Sequence, residues 1–165
     1  MSNEKGFSLT ETIIAMGVLT TGVMGAASVL VTGMNNLSSS PADVIITQKA
    51  TQAIESVFAG RDSKRLTWAQ INNVSQGGVF LDGPQPMYLA GVDGLVGTAD
   101  DAAAGLESID LPNQTIQLTS YTRQIQITTI PNENNMLRQV TVTITYQNGP
   151  TKRSYTLTTY ISSYA

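Results

Sequence analysis

The pattern of hydrophobic and polar positions divides the chain into three stretches with different periods. Residues 7–34 are apolar almost throughout, and no charged residue lies between Thr12 and Ala42. From 42 to 59, apolar residues recur every three or four positions, as on a helix that buries one face. From 114 onward, apolar and polar residues alternate, as on strands that bury one face. The apolar positions of the second stretch are Ile46, Ala50, Ala53, Ile54, Val57 and Phe58, and the opposite face carries Gln48, Lys49, Gln52 and Glu55.

The third stretch contains three alternating runs, at 114–130, 137–146 and 155–161. Residues 147–150, Gln-Asn-Gly-Pro, have the composition of a hairpin turn between the last two runs. We therefore predict an α+β fold, in which a long N-terminal helix packs on a C-terminal antiparallel β-sheet of three to four strands. Residues 60–113 hold eight of the fourteen glycines and are predicted to be mostly loop, with a short helix starting at Thr67.

The first stretch is long enough to cross a membrane. As a helix it would be roughly 40 Å long, which exceeds the ~30 Å hydrocarbon thickness of a bilayer. Lys5 would stay on the cytoplasmic side by the positive-inside rule. The alternatives are a buried core helix and a cleaved secretory signal, with Ala26-Ala27-Ser28 as the cleavage site. Ser40, Pro41 and Asp43 have the pattern of a helix start, so we predict a kink or a restart there.

Composition narrows the functional classes. The net charge is −3, and the nine Lys and Arg residues are scattered, so we expect no nucleic acid partner. The chain has no cysteine and no histidine, which excludes disulfides, Ser-His-Asp triads and the usual zinc sites. Asp100 with Asp101 or Glu107 would be a candidate pair of catalytic acids, but the sequence indicates no base or pocket beside them. We therefore expect that the protein is not an enzyme.

The stretch from Gly6 to Glu11, GFSLTE, follows Lys5 and opens the apolar run. It resembles the N-terminus of the type IV pilin and type II secretion pseudopilin superfamily, although Thr10 stands where a bulkier apolar residue is commoner. In that superfamily a membrane peptidase cleaves after the glycine and methylates the new amino terminus. The resemblance implies cleavage after Gly6 and N-methylation of Phe7. It divides the chain into a leader (1–6), a transmembrane and assembly helix (7–34), the amphipathic second half of that helix (35–59), a glycine-rich region (60–113) and the sheet (114–165).

Glu11 is the one acidic residue in the apolar run. A charge at membrane depth is costly unless it is paired, and cleavage would create a cation, the Phe7 amine, at the same end of the helix. The resemblance implies that Glu11 neutralises the amine of a neighbouring subunit during assembly. The alternative is that Glu11 lies at the headgroup level and is solvated.

Two further features resemble the V-type minor pilins and the I-type minor pseudopilins. They are the run Gln48-Lys49-Ala50 with Glu55, and the run from Arg138 to Val142 before the last hairpin. The chain lacks the terminal cysteine pair of many major pilins. Within the superfamily, these features favour a minor subunit.

The function implied by this resemblance is structural. We expect a minor, tip-associated subunit of a type IV pilus or related filament. It would first be held in the inner membrane, with a cytoplasmic N-terminus and a periplasmic C-terminal domain. The implied partners are other pilin or pseudopilin subunits, the prepilin peptidase and methyltransferase, the assembly platform and membrane lipid. One alternative is a minor pseudopilin of a type II secretion system, and another is a membrane-anchored binding domain that never polymerises.

Residues 91–101, GVDGLVGTADD, form an acidic loop with three carboxylates among glycines. Calcium prefers such carboxylates, with carbonyl oxygens completing six to eight ligands. The spacing is not that of an EF-hand, but major pseudopilins bind calcium in a comparable loop. We predict Asp93, Asp100 and Asp101 as candidate calcium ligands, and expect no other cofactor. The alternative is a solvated acidic turn.

Overall fold

The computed structural model describes residues 6, 8–111, 114–131, 133–148 and 151–164, and the side chains of residues 35–41, 111, 114 and 148 are not among those described. The chain forms two compact units, Met1–Ala42 and Asp43–Ala165. Among the described residues, the first unit contains the N-terminal part of helix α1. The second contains the rest of α1 and all of the described strands.

Helix α1 extends from Leu9 to Asp62. Of the kink or restart predicted at Ser40, the restart is wrong, because the backbone stays helical through Pro41; the kink stays a prediction. A proline inside a helix costs about 3 kcal/mol, and here that cost falls within one continuous helix. The helix also continues beyond the predicted end at residue 59. It ends where Lys64 adopts a left-handed conformation, with φ 57°.

Four antiparallel strands form the main sheet, in the order β1-β4-β5-β6. They are β1 (Gln85–Pro86), β4 (Tyr121–Thr129), β5 (Leu137–Asn148) and β6 (Thr151–Ser162). The α+β prediction of a long helix and a sheet of three to four strands is confirmed. Strands β2 (Ser108–Leu111) and β3 (Gln114–Gln117) form a separate two-stranded sheet.

The predicted single run from 114 to 130 is divided into two strands that belong to different sheets. The division occurs at Leu118, whose side chain is fully buried and whose N–H donates to the carbonyl of Glu107 at 2.9 Å. Tyr121 N–H then donates to the Leu118 carbonyl across a turn. Both sides of this turn alternate in the same way, so the periodicity alone did not reveal it. Strand β2 likewise lies within the region predicted to be mostly loop.

The core of the second unit lies between α1 and one face of the main sheet. The predicted apolar face of α1 is largely confirmed, since Ile46, Ala50, Ala53, Ile54 and Val57 are buried. The sheet contributes the fully or nearly fully buried residues Ile125, Ile127, Val140, Val142, Ile144 and Ile161. Lys49, assigned to the polar face, is instead partly buried and paired with Glu107.

The region between α1 and β4 contains two 3₁₀ turns, Trp68–Gln70 and Val74–Gln76, and the one-turn helix α2, Asp101–Ala104. The predicted capping box at Thr67 forms in part as expected, because the Thr67 N–H donates to Gln70 Oε1 at 2.9 Å. The segment is a 3₁₀ turn and not the predicted short α-helix.

Asn73 completes the edge of β4 beyond the two residues of β1. Its Nδ2 donates to the carbonyl of Ile125 at 2.8 Å, and its Oδ1 accepts the N–H of Ile127 at 2.8 Å. The carboxamide therefore pairs with β4 as the backbone of a neighbouring strand would. The side chain is buried, so these bonds are shielded from water.

Candidate functional site

The most exposed apolar surface of the described chain is the first half of α1. The segment Leu9–Met34 has a mean hydropathy of 1.9 and is long and apolar enough to cross a membrane. Its large apolar side chains are between 59% and 80% exposed. Such a large exposed apolar surface is typical of a membrane or protein interaction site, so the length and composition of this segment fit anchoring in a membrane.

Hydroxyl groups within this segment are compatible with a lipid environment. Thr20 Oγ1 donates to the Met16 carbonyl at 2.7 Å, and Thr32 Oγ1 donates to the Ser28 carbonyl at 2.9 Å. Polar groups in hydrocarbon must be satisfied within the protein, and these bonds satisfy the hydroxyls on the helix itself.

Ser8 caps the start of α1. The Glu11 N–H lies 3.2 Å from Ser8 Oγ and 3.1 Å from the Ser8 carbonyl oxygen, both of which accept from it. Ser8 and Glu11 have the Ser-x-x-Glu spacing of a capping box, which the sequence analysis missed although the pattern was present. Glu11 therefore occupies the first turn, where the helix dipole favours an acid.

The structure locates two of the three residues predicted for processing and assembly. Gly6 is exposed, and Glu11 is exposed in the first turn of α1. Phe7 lies outside the described residues. The pairing of Glu11 with the Phe7 amine of a neighbouring subunit therefore stays a prediction.

The acidic loop does bring its three predicted calcium ligands together. One carboxylate oxygen from each of Asp93, Asp100 and Asp101 lies within 4.8 Å of the others. Asp93 is exposed, Asp100 is half-buried and Asp101 is buried. Ligand oxygens 2.3–2.6 Å from a common Ca²⁺ lie at most about 5 Å apart, so this spacing fits calcium coordination.

Asp101 anchors the loop from inside. Its Oδ1 accepts the Gly91 N–H at 3.0 Å, and its Oδ2 accepts the Gly97 N–H at 2.5 Å. Gly97 has φ 88°, a left-handed conformation that glycine adopts without strain. These bonds hold the first residue and an inner residue of the loop against one carboxylate.

Asp100 is held at the outer side of the loop. It accepts the Thr98 hydroxyl at 2.8 Å and the Asp93 N–H at 3.2 Å. These bonds favour the charged form and lower the pKa of Asp100, chiefly through Thr98. A Cβ at Gly91 would lie 2.2 Å from Asp100 Oδ2, so glycine at that position makes room for the carboxylate.

Two ion pairs that include buried charges were not predicted, and one of them involves Asp101 of the acidic loop. Arg123 Nη2 lies 3.8 Å from Asp101 Oδ2, and it also donates to the Tyr88 carbonyl at 3.0 Å. Glu107 Oε1 lies 3.2 Å from Lys49 Nζ. Burial lowers the pKa of Arg123, and the charges of Glu107 and Asp101 oppose that shift. In the sequence, Arg123 occupies a position of the alternating run at which an apolar residue is expected.

Comparison with known proteins identifies the N-terminus. Residues 1–27 match a family model described as "Prokaryotic N-terminal methylation motif". No curated protein and no solved structure was found that matches the chain. The match includes Gly6, Phe7 and Glu11, and it confirms the resemblance of this segment to the type IV pilin and pseudopilin superfamily. It supports a pilin-like or pseudopilin substrate of prepilin peptidase.

Proposed function

We propose that this chain, which carries the prepilin-type N-terminal motif, is a minor, tip-associated structural subunit of a type IV pilus or related filament. The observation that carries the proposal is the combination of that motif with the exposed apolar segment Leu9–Met34. Lipid would cover this segment in the precursor, and neighbouring helices would cover it after assembly.

Processing would occur at the inner membrane. The peptidase cleaves after Gly6, and methylation follows at Phe7. The precursor is anchored by Leu9–Met34, with its N-terminus in the cytoplasm and its C-terminal domain in the periplasm. It then passes through the assembly platform to join other pilin or pseudopilin subunits.

Glu11 would set the position of the helix in the filament. Its carboxylate pairs with the Phe7 amine of an adjacent subunit, which makes an acid acceptable in an apolar bundle. Its place in the first turn of α1 supports this role, because that end of the helix is where the new amino terminus forms.

The terminus of the mature protein tests this proposal. Mass spectrometry of protein from sheared surface filaments should find methylated Phe7 as the first residue. Recovery of chains that begin at Met1 outside the cell would contradict it and would favour a membrane-anchored domain that never polymerises. Deletion of the gene distinguishes the remaining alternative, since loss of type II secretion with normal piliation would indicate a minor pseudopilin.

The role of Glu11 is tested by Glu11→Ala. The variant should be cleaved after Gly6 nearly as well as the wild type, but its amount in filaments should fall. Glu55→Gln is a matched control, because Glu55 is an exposed acid on the second half of α1. Equal incorporation of Glu11→Ala and wild type would exclude the pairing.

We also propose that the acidic loop binds calcium through Asp93, Asp100 and Asp101. The convergence of their oxygens within 4.8 Å supports this, with carbonyls and water supplying the remaining ligands. Calorimetric titration of the full-length chain in detergent should show calcium binding that Asp93→Asn or Asp100→Asn weakens. Asp110→Asn is the control, since Asp110 is an exposed acid outside the loop. Absence of heat and of any change in thermal midpoint would refute the site.

A further inference from the structure

Strand β6 forms one edge of the main sheet, and no described strand covers its outer side. It pairs with β5 through the whole of Thr151–Ser162, and the order of the strands places none beyond it. The opposite edge, on β4, is covered by β1 and by the carboxamide of Asn73. In the described part of the chain, the sheet therefore has one covered edge and one open edge.

Every second residue of β6 directs its backbone N–H and C=O away from β5. The Ser163 N–H donates to the Met136 carbonyl at 2.8 Å, and this pair directly follows the pair Leu137–Ser162 in register. Hydrogen-bonded and non-bonded pairs alternate along an antiparallel ladder, so Ser162 and every second residue before it face outward. The Ser162 carbonyl accordingly accepts Arg61 Nη1 at 3.0 Å. The other outward-facing residues, which we call the outer row, are Lys152, Ser154, Thr156, Thr158 and Tyr160.

The outer row lacks the features that usually protect an edge strand. Among the described residues, no backbone hydrogen bond reaches its outward groups. Natural edge strands are commonly short, bulged, or interrupted by proline and charged residues. The register between β5 and β6 is continuous, without a bulge, and residues 154–162 contain no proline and no charged residue. Such an uninterrupted edge is suited to pairing with an added strand.

The core side of β6 is also incompletely covered. Tyr155 and Leu157 are half-buried, whereas their partners on β5, Ile144 and Val142, are 0% exposed. Apolar side chains on a strand beyond β6 would cover Tyr155 and Leu157, and removal of this apolar area from water favours binding. The added strand should therefore be apolar on the core side.

Lys152 indicates the charge that the added strand should carry at one end. Its side chain is exposed and forms no ion pair with a described residue, whereas the neighbouring Arg153 lies 3.8 Å from Asp43. Strand β6 contains no acidic residue, so β6 of a second copy of this chain would offer Lys152 no partner. An acidic residue on a different strand would be complementary to it.

We propose that the open edge of β6 binds an extended segment of another protein, which adds to the sheet as a fifth, antiparallel strand. The antiparallel arrangement is the more stable one per residue. The residues of the added strand that bond to the outer row are polar, and they alternate with apolar residues that cover Tyr155 and Leu157. An acidic residue near its C-terminal end pairs with Lys152. The interaction depends neither on the N-terminal motif nor on calcium.

Hydrogen exchange of the full-length chain in detergent micelles tests this proposal. The probe is a synthetic peptide of about ten residues that alternates threonine and valine, with glutamate in place of the last threonine. At saturating peptide, we expect the amides of the outer row to exchange about tenfold more slowly. The intervening amides already donate to β5 and should not change. Unchanged exchange of the outer row at about 1 mM peptide would overturn the proposal.

Two modified peptides test the direction of the hydrogen bonds. In an antiparallel pair, the residues that bond to the outer row lie on the same face as its side chains, which is the polar face. N-methylation of the threonines should therefore abolish the protection, because it removes the donors that face β6. N-methylation of the valines should preserve the protection. Equal effects of the two modifications would overturn the proposed arrangement.

The contribution of Lys152 is tested by Lys152→Met. This variant should bind the peptide about threefold more weakly, as expected for loss of an exposed ion pair. Lys64→Met is the matched control, because Lys64 is an exposed lysine outside the sheet, and its binding should equal that of the wild type. Equal binding by Lys152→Met would overturn the requirement for an acidic residue. Protection of the outer row that rises with protein concentration in the absence of peptide would identify a second copy as the occupant and would overturn the proposed partner.

Discussion

Replacement of Asn73 by leucine should destabilise the second unit although the two side chains are similar in size. The carboxamide of Asn73 makes two 2.8 Å hydrogen bonds to the backbone of Ile125 and Ile127. Leucine makes neither bond, so one carbonyl and one N–H of β4 lose their partners. At roughly 1–3 kcal/mol for each of the two unpaired buried groups, less about 1 kcal/mol from added apolar burial, the expected loss is about 1–5 kcal/mol.

The neighbouring residue offers a matched control. Asn72 Oδ1 is buried and has no hydrogen-bond partner among the described residues. Asn72→Leu removes a buried amide oxygen that makes no hydrogen bond. We therefore expect the free energy of unfolding to stay within about 0.5 kcal/mol of the wild type, or to rise slightly. The same chemical change one residue apart should therefore have very different effects.

The assay is urea denaturation of the full-length chain in detergent, followed by tryptophan fluorescence, with hydrogen exchange at Ile127 as a local probe. Asn73→Leu should lower the midpoint and expose the Ile127 amide to exchange, whereas Asn72→Leu should do neither. If both variants lose the same stability, or if Ile127 stays protected in Asn73→Leu, the carboxamide does not act as a strand partner.

Three further predictions concern the second unit. Gly97→Ala should lower the free energy of unfolding, measured by urea denaturation, by about 1–3 kcal/mol. The reason is that Gly97 has φ 88° and that the new Cβ would lie 2.7 Å from Ile125 Cδ1. An unchanged denaturation midpoint would contradict this. Arg138→Met should lower the free energy of unfolding by about 2–4 kcal/mol in the same assay. The buried guanidinium donates to two backbone carbonyls and lies 4.4 Å from the centroid of an indole ring. Full stability of the variant would refute this prediction. The Thr98 hydroxyl lowers the pKa of Asp100 in the folded state. The resulting stability is complete above the ordinary aspartate pKa, near 4, and is lost as pH falls through the lower folded pKa. Thr98→Val should reduce that loss in denaturation measured between about pH 5 and pH 2, and an identical pH profile would refute the assignment.

Strong periodic signals predicted most of the fold correctly. The apolar face of α1 and the buried faces of β4 and β5 follow from repeats that local geometry imposes on any buried helix or strand. The restart predicted at Ser40 was wrong because a local start signal does not exclude that a helix already runs through the same residues. The prediction of one continuous strand across Leu118 was wrong because two strands of different sheets show the same alternation of apolar and polar residues.

The candidate site, like the fold, was predicted from the sequence only in part. The three aspartates of the acidic loop were predicted from composition, and the structure places their oxygens together. Arg123 lies at an apolar position of an alternating strand, and the alternation gives no indication that its partner would be Asp101. Glu107 was considered only as a catalytic acid, and Lys49 only as a residue of a polar helix face. Contacts between residues far apart in sequence depend on how the elements pack, which no local pattern contains.

By itself, the amino-acid sequence determined the apolar N-terminal segment, the N-terminal methylation motif that includes Gly6 and the alternation of the last strands. Each of these depends on residues within a few positions of one another, so local chemistry is enough to define it. Only the tertiary structure decided that Asn73 serves as a strand partner for β4 and that Lys49 pairs with Glu107 and Arg123 with Asp101. Burial creates these partnerships, because polar groups removed from water must find partners wherever packing places them.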